Sequence, residues 1–217
     1  MLKYRKFLIL LITNPYFILR KIFYKISNIA REHIFVQKEL KRLIEHNKNI
    51  WSKSKVSNSD SIILHDVFNG SEVILPYTYF LNVLAKKYNS KIFTFSKKSK
   101  ATFGHLRKSY NTEGHIEVKL DDKHLINKKI EYLKKAKASI SNKHDVYNYK
   151  INGIWIGIDI YETYLREGAV TVDINDKYFW EIFDAGIENL CFWEEFFENK
   201  NVSALVLSHD CYIYYNC

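Results

Sequence analysis

The sequence contains the same pattern twice: a short apolar run that ends in His-Asp. Residues 61–66 read SIILHD, and residues 202–210 read VSALVLSHD. Runs of this length are typical of strands that are buried on both faces of a parallel sheet. In open α/β sheets, ligands bind outside the carboxyl ends of the strands. We therefore predict that His65, Asp66 and His209 come together at one crevice.

These residue types are suited to proton transfer. An imidazole titrates near neutral pH, and a carboxylate can take the proton of an attacking hydroxyl group. We assign His209 and Asp66 as candidate catalytic bases. His65, and Gly70 in the loop after the first run, are assigned to substrate binding. The alternative is that His65 and His209 only cap strand ends by hydrogen bonding to neighbouring loops.

Other chemistries lack their motifs. No HExxH, CxxC or carboxylate cluster indicates a metal site, so we expect none. No GxGxxG or GxxxxGK[ST] loop indicates a dinucleotide or a P-loop triphosphate.

Cys211 follows His209-Asp210, but a thiol nucleophile needs a positioned base, and we do not favour it. The three cysteines are sparse and odd in number, which fits a reducing compartment, and Cys191 is expected in the core.

The segments between these runs predict the scaffold. Strands are expected at 61–65, 91–95, 116–120 and 202–208, and the main helices at 122–141 and 176–199. The last helix is strongly aromatic and is assigned to the core. This order predicts an α/β fold, a Rossmann-like parallel sheet with flanking helices, over residues 58–217. Since no further strand follows Cys217, we expect the sheet to be incomplete at its carboxyl-terminal side.

A second notable stretch covers residues 145–173. Gly153 and Gly157 bracket Ile-Trp-Ile, and Arg166 follows one turn after Glu162. One interpretation is simple i,i+4 pairing on a helix surface. The other is that Gly157 permits a close backbone approach, while Tyr161 and Arg166 face an anionic ligand.

The amino-terminal residues 1–57 differ from the rest in charge. They carry thirteen Lys or Arg and three Glu, whereas the remaining residues are nearly neutral and the whole chain is +9. The apolar segment 7–19 would be roughly 20 Å long as a helix, too short for a hydrocarbon core of about 30 Å. We predict that this basic arm lies on an anionic membrane surface. The neutral body argues against nucleic acid as a partner.

The same arm offers a second type of partner. From residue 22 to about 47, apolar residues recur at steps of four and three, which predicts one helical seam. Such a seam can pair with another helix, cover the body, or join two copies into an oligomer. The alternative function is therefore a non-catalytic interaction protein at the membrane.

Two phrases of the chain resemble a known family. Residues 149–166, YKINGIWIGIDIYETYLR, and 202–216, VSALVLSHDCYIYYN, resemble the amino-terminal half of bacterial capsular or surface polysaccharide biosynthesis proteins. These are similar to two-domain GT-B-type glycosyltransferases. The chain differs from the pattern at Asp159 and Glu162 in the first phrase and at Asn216, where a Gly is expected.

The resemblance implies a function and a set of site residues. It implies a glycosyltransferase, or its acceptor-side domain, in polysaccharide synthesis at the cytoplasmic face of the inner membrane. Ser208, His209 and Tyr212 match the second phrase and would bind substrate. The partner would be a glycan or a lipid-linked acceptor. No cofactor is implied, and the donor, a nucleotide sugar, would bind to a further carboxyl-terminal half.

Overall fold

The computed structural model describes residues 41–51, 59–66, 71–96 and 109–207, without the side chains of residues 71–78. The chain divides into two units, Met1–Ile50 and Trp51–Cys217. In the first unit, residues 41–50 are helical, which agrees with the end of the predicted seam. The rest of the predicted arm, up to residue 40, lies outside the described residues, as do residues 52–58.

The second unit contains a four-stranded parallel sheet. Its strands are β1 (Ser61–Asp66), β2 (Lys91–Ser96), β3 (Thr112–Glu117) and β4 (Asn201–Val206). Their spatial order is β3-β2-β1-β4, so β1 lies between β2 and β4. The predicted α/β, Rossmann-like parallel sheet is confirmed. The helices are α1 (Ser71–Tyr88), α2 (Lys123–Ser139), α3 (Lys143–Tyr147), α4 (Gly157–Arg166) and α5 (Lys177–Asn199).

The strand order places the helices on both faces of the sheet. The chain moves outward from β1 to β2 and β3, and then returns past β1 to β4. Because parallel crossovers are right-handed, a reversal of direction moves the connection to the opposite face. α1 therefore covers one face. On the other face, Phe192, Trp193 and Phe196 of α5 pack against the apolar residues of β1 and β2, which are Ile62, Leu64, Phe93 and Phe95.

The connection from β3 to β4 has a hydrophobic core of its own. Helices α2 to α5 bury a cluster that includes Ile160, Phe179, Phe183, Ile187 and Cys191. The predicted core role of the aromatic helix and of Cys191 is therefore confirmed. Burial raises the pKa of the Cys191 thiol to about 11, which keeps it protonated and unreactive.

Polar contacts fix the ends and the register of these helices. Asp122 caps α2 by accepting the N–H of His124, and Asp176 caps α5 by accepting that of Tyr178. The Asp176 carboxylate also accepts the Tyr164 hydroxyl at 2.7 Å, which ties α4 to the start of α5.

Ion pairs join α2 to α5. Lys129 pairs with Asp184, and Lys128 pairs with Glu194, both at 3.0 Å. The side chains of Lys128 and Lys129 are partly exposed, at 27% and 20%. These pairs help to fix the position of α2 on α5.

The position of β3 differs from its prediction. It was expected at 116–120, where the sequence is apolar, but it begins four residues earlier. The segment Thr-Glu-Gly-His is polar because β3 lies at the edge of the described sheet, where one side needs no apolar cover. Gly114 fits here because a Cβ atom would lie 2.9 Å from the Phe93 ring. A turn at Asn111, with φ of 64°, leads into the strand.

Gly157 allows two pieces of backbone to meet. A Cβ atom at this position would lie 2.0 Å from the Val146 carbonyl oxygen and 2.8 Å from the Tyr149 nitrogen. The Gly157 N–H donates to the Tyr149 carbonyl at 3.0 Å. The close approach predicted for Gly157 is therefore present, and the described neighbour is the chain itself.

We predict that Gly157→Ala destabilises the protein by about 1–3 kcal/mol, the usual cost of overpacking. In an ordinary helix the same change stabilises by roughly 0.5–1 kcal/mol, so the sign discriminates. Urea unfolding followed by circular dichroism measures it. Gly168→Ala is the comparison variant. Gly168 has a φ of 100° and open space around it, so an alanine there would strain the backbone without a steric clash. A stabilised Gly157→Ala protein would contradict this packing.

Candidate functional site

The sheet has a topological switch point between β1 and β4. From β1 the chain passes to one face through α1, whereas β4 is reached through helices on the other face. In folds with such a switch point, ligands usually bind outside the carboxyl ends of the two strands. His65 and Asp66 end β1 at this position. Gly70, Ser208, His209 and Tyr212 lie outside the described residues.

His65 is held by the neighbouring strand. Its side chain is 2% exposed, and its Nδ1 lies 3.1 Å from the carbonyl oxygen of Val206 on β4. The same nitrogen lies 3.3 Å from Oδ1 of Asp66. Because a carbonyl oxygen can only accept, Nδ1 must carry the hydrogen. In the neutral ring the lone pair is therefore on Nε2, which is the nitrogen able to accept a proton.

The surroundings of His65 keep the ring neutral. Burial is the largest influence and lowers its pKa below 6.5. The bond to Val206 and the charge of Asp66 oppose this shift but do not cancel it. A neutral imidazole with a fixed tautomer is the form that acts as a general base.

Asp66 is buried beside His65. Its side chain is 4% exposed, so its carboxylate interacts with the ring at low local dielectric. If His65 takes up a proton, this carboxylate stabilises the resulting imidazolium. The geometry therefore favours a positioning role for Asp66 toward His65, in addition to the predicted role as a base.

A polar row continues from His65 across the sheet. Thr94 of β2 is the register partner of His65, and His115 of β3 is the register partner of Thr94. His115 contacts the Thr94 hydroxyl through Nδ1 at 3.0 Å and the Ser96 hydroxyl through Nε2 at 3.2 Å. Parallel strands in register point these side chains to one face.

His115 was not among the residues predicted from the sequence. It lies two residues before Glu117 on the same strand, but the segment has too few apolar residues for its hydrophobic pattern to indicate a strand. The row places two imidazoles and two hydroxyl groups on one face near the carboxyl edge. The Thr94 and Ser96 hydroxyls contact the His115 ring, and His65 and Thr94 are only 2% and 1% exposed.

The other predicted site residues lie on α4. Gly157 begins this helix and packs on residues 146–149, and the ring of Tyr161 contacts that of Tyr147 at 5.6 Å. Arg166 is the last residue of the helix and is exposed. Among the contacts of the described residues, those of Gly157 and Tyr161 join them to the helical core and not to His65 or Asp66.

Within the described ranges, no group of three or more His, Cys, Asp or Glu side chains could hold a metal ion. In the same part of the chain, no helix combines the length and apolar character that crossing a bilayer requires.

No family model, no curated protein and no solved structure matches this chain.

The lowered pKa of His65 predicts how stability depends on pH. The folded protein binds this proton less readily than the unfolded chain does, so the stabilisation is complete above pH 6.5 and falls as the pH drops below it. Urea unfolding between pH 5 and 7.5 measures the effect. His65→Asn retains an N–H near the Nδ1 position but does not titrate, so this component should disappear. An unchanged pH profile in His65→Asn would contradict a buried neutral ring.

Proposed function

We propose that this chain is an acceptor-side, Rossmann-like domain of a glycosyltransferase of capsular or surface polysaccharide synthesis. The donor would be a nucleotide sugar, and the acceptor a glycan or a lipid-linked sugar. The observation that supports this most is the buried, neutral His65 at the switch point, with its Nδ1 occupied by Val206 and Asp66 beside it. The sequence segments 149–166 and 202–216 carry the resemblance to polysaccharide biosynthesis proteins.

The proposed reaction is an inverting displacement. A base takes the proton of the acceptor hydroxyl while its oxygen attacks the anomeric carbon of the donor. The bond from that carbon to the diphosphate oxygen breaks, and the nucleoside diphosphate leaves with the electron pair. His65 would use Nε2 as the base, and Asp66 would stabilise the imidazolium that forms. His209, the base predicted from the sequence, is the second candidate.

The leaving diphosphate requires positive or dipolar groups. Helix α1 begins at Ser71, shortly after β1 ends, so its amino terminus is connected to the same edge of the sheet. Helix amino termini present N–H groups and a partial positive charge to anions. Arg166 remains a proposed anion ligand on sequence grounds.

Activity assays of the full-length chain test this proposal. Purified protein is incubated with a panel of nucleotide sugars and a membrane-derived acceptor, and release of nucleoside diphosphate and labelled product is measured. We expect His65→Asn or His209→Ala to lower kcat by about 10²–10⁴-fold, according to which is the base, with a smaller change in KM. Arg166→Ala is expected to raise KM for the donor.

The control variant is His124→Ala, because His124 is exposed at the start of α2. It should retain the wild-type rate. If His65→Asn, His209→Ala and Arg166→Ala all retained the wild-type rate, the assigned site would be wrong. If wild-type protein bound vesicles but neither transferred sugar nor bound an acceptor glycan, the non-catalytic interaction protein would be the better description.

The proposed location is the cytoplasmic face of the inner membrane, with residues 1–57 as the contact. We expect the full chain to sediment with vesicles that contain anionic lipid and not with neutral vesicles. Basic residues near such a surface contribute about 1 kcal/mol each, so binding should weaken strongly between low and high salt. Reversing the charge of Arg20, Lys21 and Lys25 to Glu should weaken binding more than the same change at Lys134, Lys137 and Lys143. Equal binding to neutral vesicles would contradict the electrostatic part.

A further inference from the structure

One tryptophan is attached to an unusually well-fixed turn. Ile151 and Ile154 exchange both backbone hydrogen bonds, at 3.0 and 2.9 Å, around Asn152-Gly153. Both central residues have positive φ, 52° and 84°, which defines a type I′ turn of the kind that Asn-Gly favours. The Asn152 amide donates to the Tyr132 hydroxyl at 2.8 Å and to Glu194 at 3.0 Å. The turn is therefore tied to α2 and α5, and Trp155 follows it directly.

The Trp155 ring is held in place yet remains exposed. Its indole N–H donates to the Tyr147 carbonyl oxygen. Its ring lies 5.4 Å from that of Tyr147, at an interplanar angle of 84°. Nevertheless, 40% of Trp155 and 47% of Ile154 are exposed. A large aromatic ring that is ordered before any ligand arrives loses little conformational entropy when it binds one.

The contacts of Trp155 restrict what it can bind. Since the indole N–H is already donated within the protein, the exposed part offers mainly aromatic carbon. An aromatic face with a partial negative charge is complementary to the C–H groups on one face of a pyranose ring. Lys150 has its ammonium nitrogen 5.8 Å from the centre of the Trp155 ring, so a positive charge lies beside this surface. This combination suits a sugar that carries a carboxylate.

We infer that Tyr147, Lys150, Ile154 and Trp155 form an aromatic platform that binds acidic pyranose residues of a glycan chain. The inference rests on the proposed function, because a growing polysaccharide is the ligand that such a platform would hold. Four side chains cover far less than the roughly 800 Å² per partner of a stable protein interface, which favours a single sugar unit over a protein.

Glycan binding by the full-length chain tests this inference separately from catalysis. Isothermal titration with oligogalacturonate provides acidic pyranoses, dextran oligosaccharides provide neutral ones, and polyglutamate provides acid without sugar. We expect the tightest binding to oligogalacturonate. Trp155→Ala should weaken it by about tenfold or more, and Trp155→Phe by less, because a phenyl ring keeps part of the stacking surface.

Two more variants separate charge from stacking. Lys150→Ala should weaken oligogalacturonate binding several-fold without affecting dextran. Tyr88→Ala is the matched control, because Tyr88 is also an exposed aromatic residue with a lysine, Lys87, 5.4 Å from its ring centre. It should bind as the wild type does. Circular dichroism melts show which variants are folded, and Trp155→Phe serves if Trp155→Ala is not.

Three results would overturn the platform. These are binding that is unchanged in both Trp155→Ala and Trp155→Phe, equal affinity for polyglutamate, or loss of vesicle binding rather than glycan binding in the Trp155 variants. Transfer to a short acceptor with no Trp155-dependent binding would reject the platform and leave the glycosyltransferase proposal standing. Trp155-dependent binding without any transfer would do the reverse.

Discussion

The parallel pairing of β1 with β4 is the interaction on which the candidate site depends. The two strands are far apart in the chain, and His65 contacts Val206 across 141 residues of sequence. The pairing places β1 inside the sheet and sets the switch point at its carboxyl end. It also supplies the carbonyl oxygen that fixes the tautomer of His65. Without β4, the ring would lose the carbonyl oxygen that its Nδ1 hydrogen bonds to, and its tautomer would no longer be fixed.

Burial at this position has opposing effects on proton transfer. Desolvation keeps the imidazole neutral and its lone pair available, but it also makes the protonated form costly. Asp66, 3.3 Å away, partly offsets that cost. The pair therefore provides a base that is neutral at rest and a carboxylate that stabilises the charge during transfer. A histidine that only capped a strand end would need one hydrogen bond to a carbonyl oxygen and would not need a carboxylate beside it.

Much of this fold could be predicted because the apolar runs carry a strong signal. Strands β1 and β2 are mainly apolar and largely buried, and α5 has aromatic residues at helical spacing, so there tertiary structure and local pattern agree. β4 lies where it was predicted, but it is not buried on both faces: Leu205 is 44% exposed, because β4 is at an edge of the described sheet. β3 is an edge strand with a polar segment, so neither its position nor His115 could be read from hydrophobicity. The pairing of Lys128 and Lys129 across two helices depends on distances that the sequence does not contain. His65 and Asp66 were found because parallel-sheet topology, rather than local chemistry, determines where they lie.

The long connection between β3 and β4 has a consequence for the order of folding. Helices α2 to α5 have a core of their own, with local contacts, so they can form early, whereas closing the sheet requires a contact over 141 residues. Until β4 docks, the unpaired side of β1 exposes the apolar segment Ile62–Leu64 as a strand edge. During synthesis that edge emerges from the ribosome long before its partner, so a chaperone that binds extended apolar segments would be expected to recognise it.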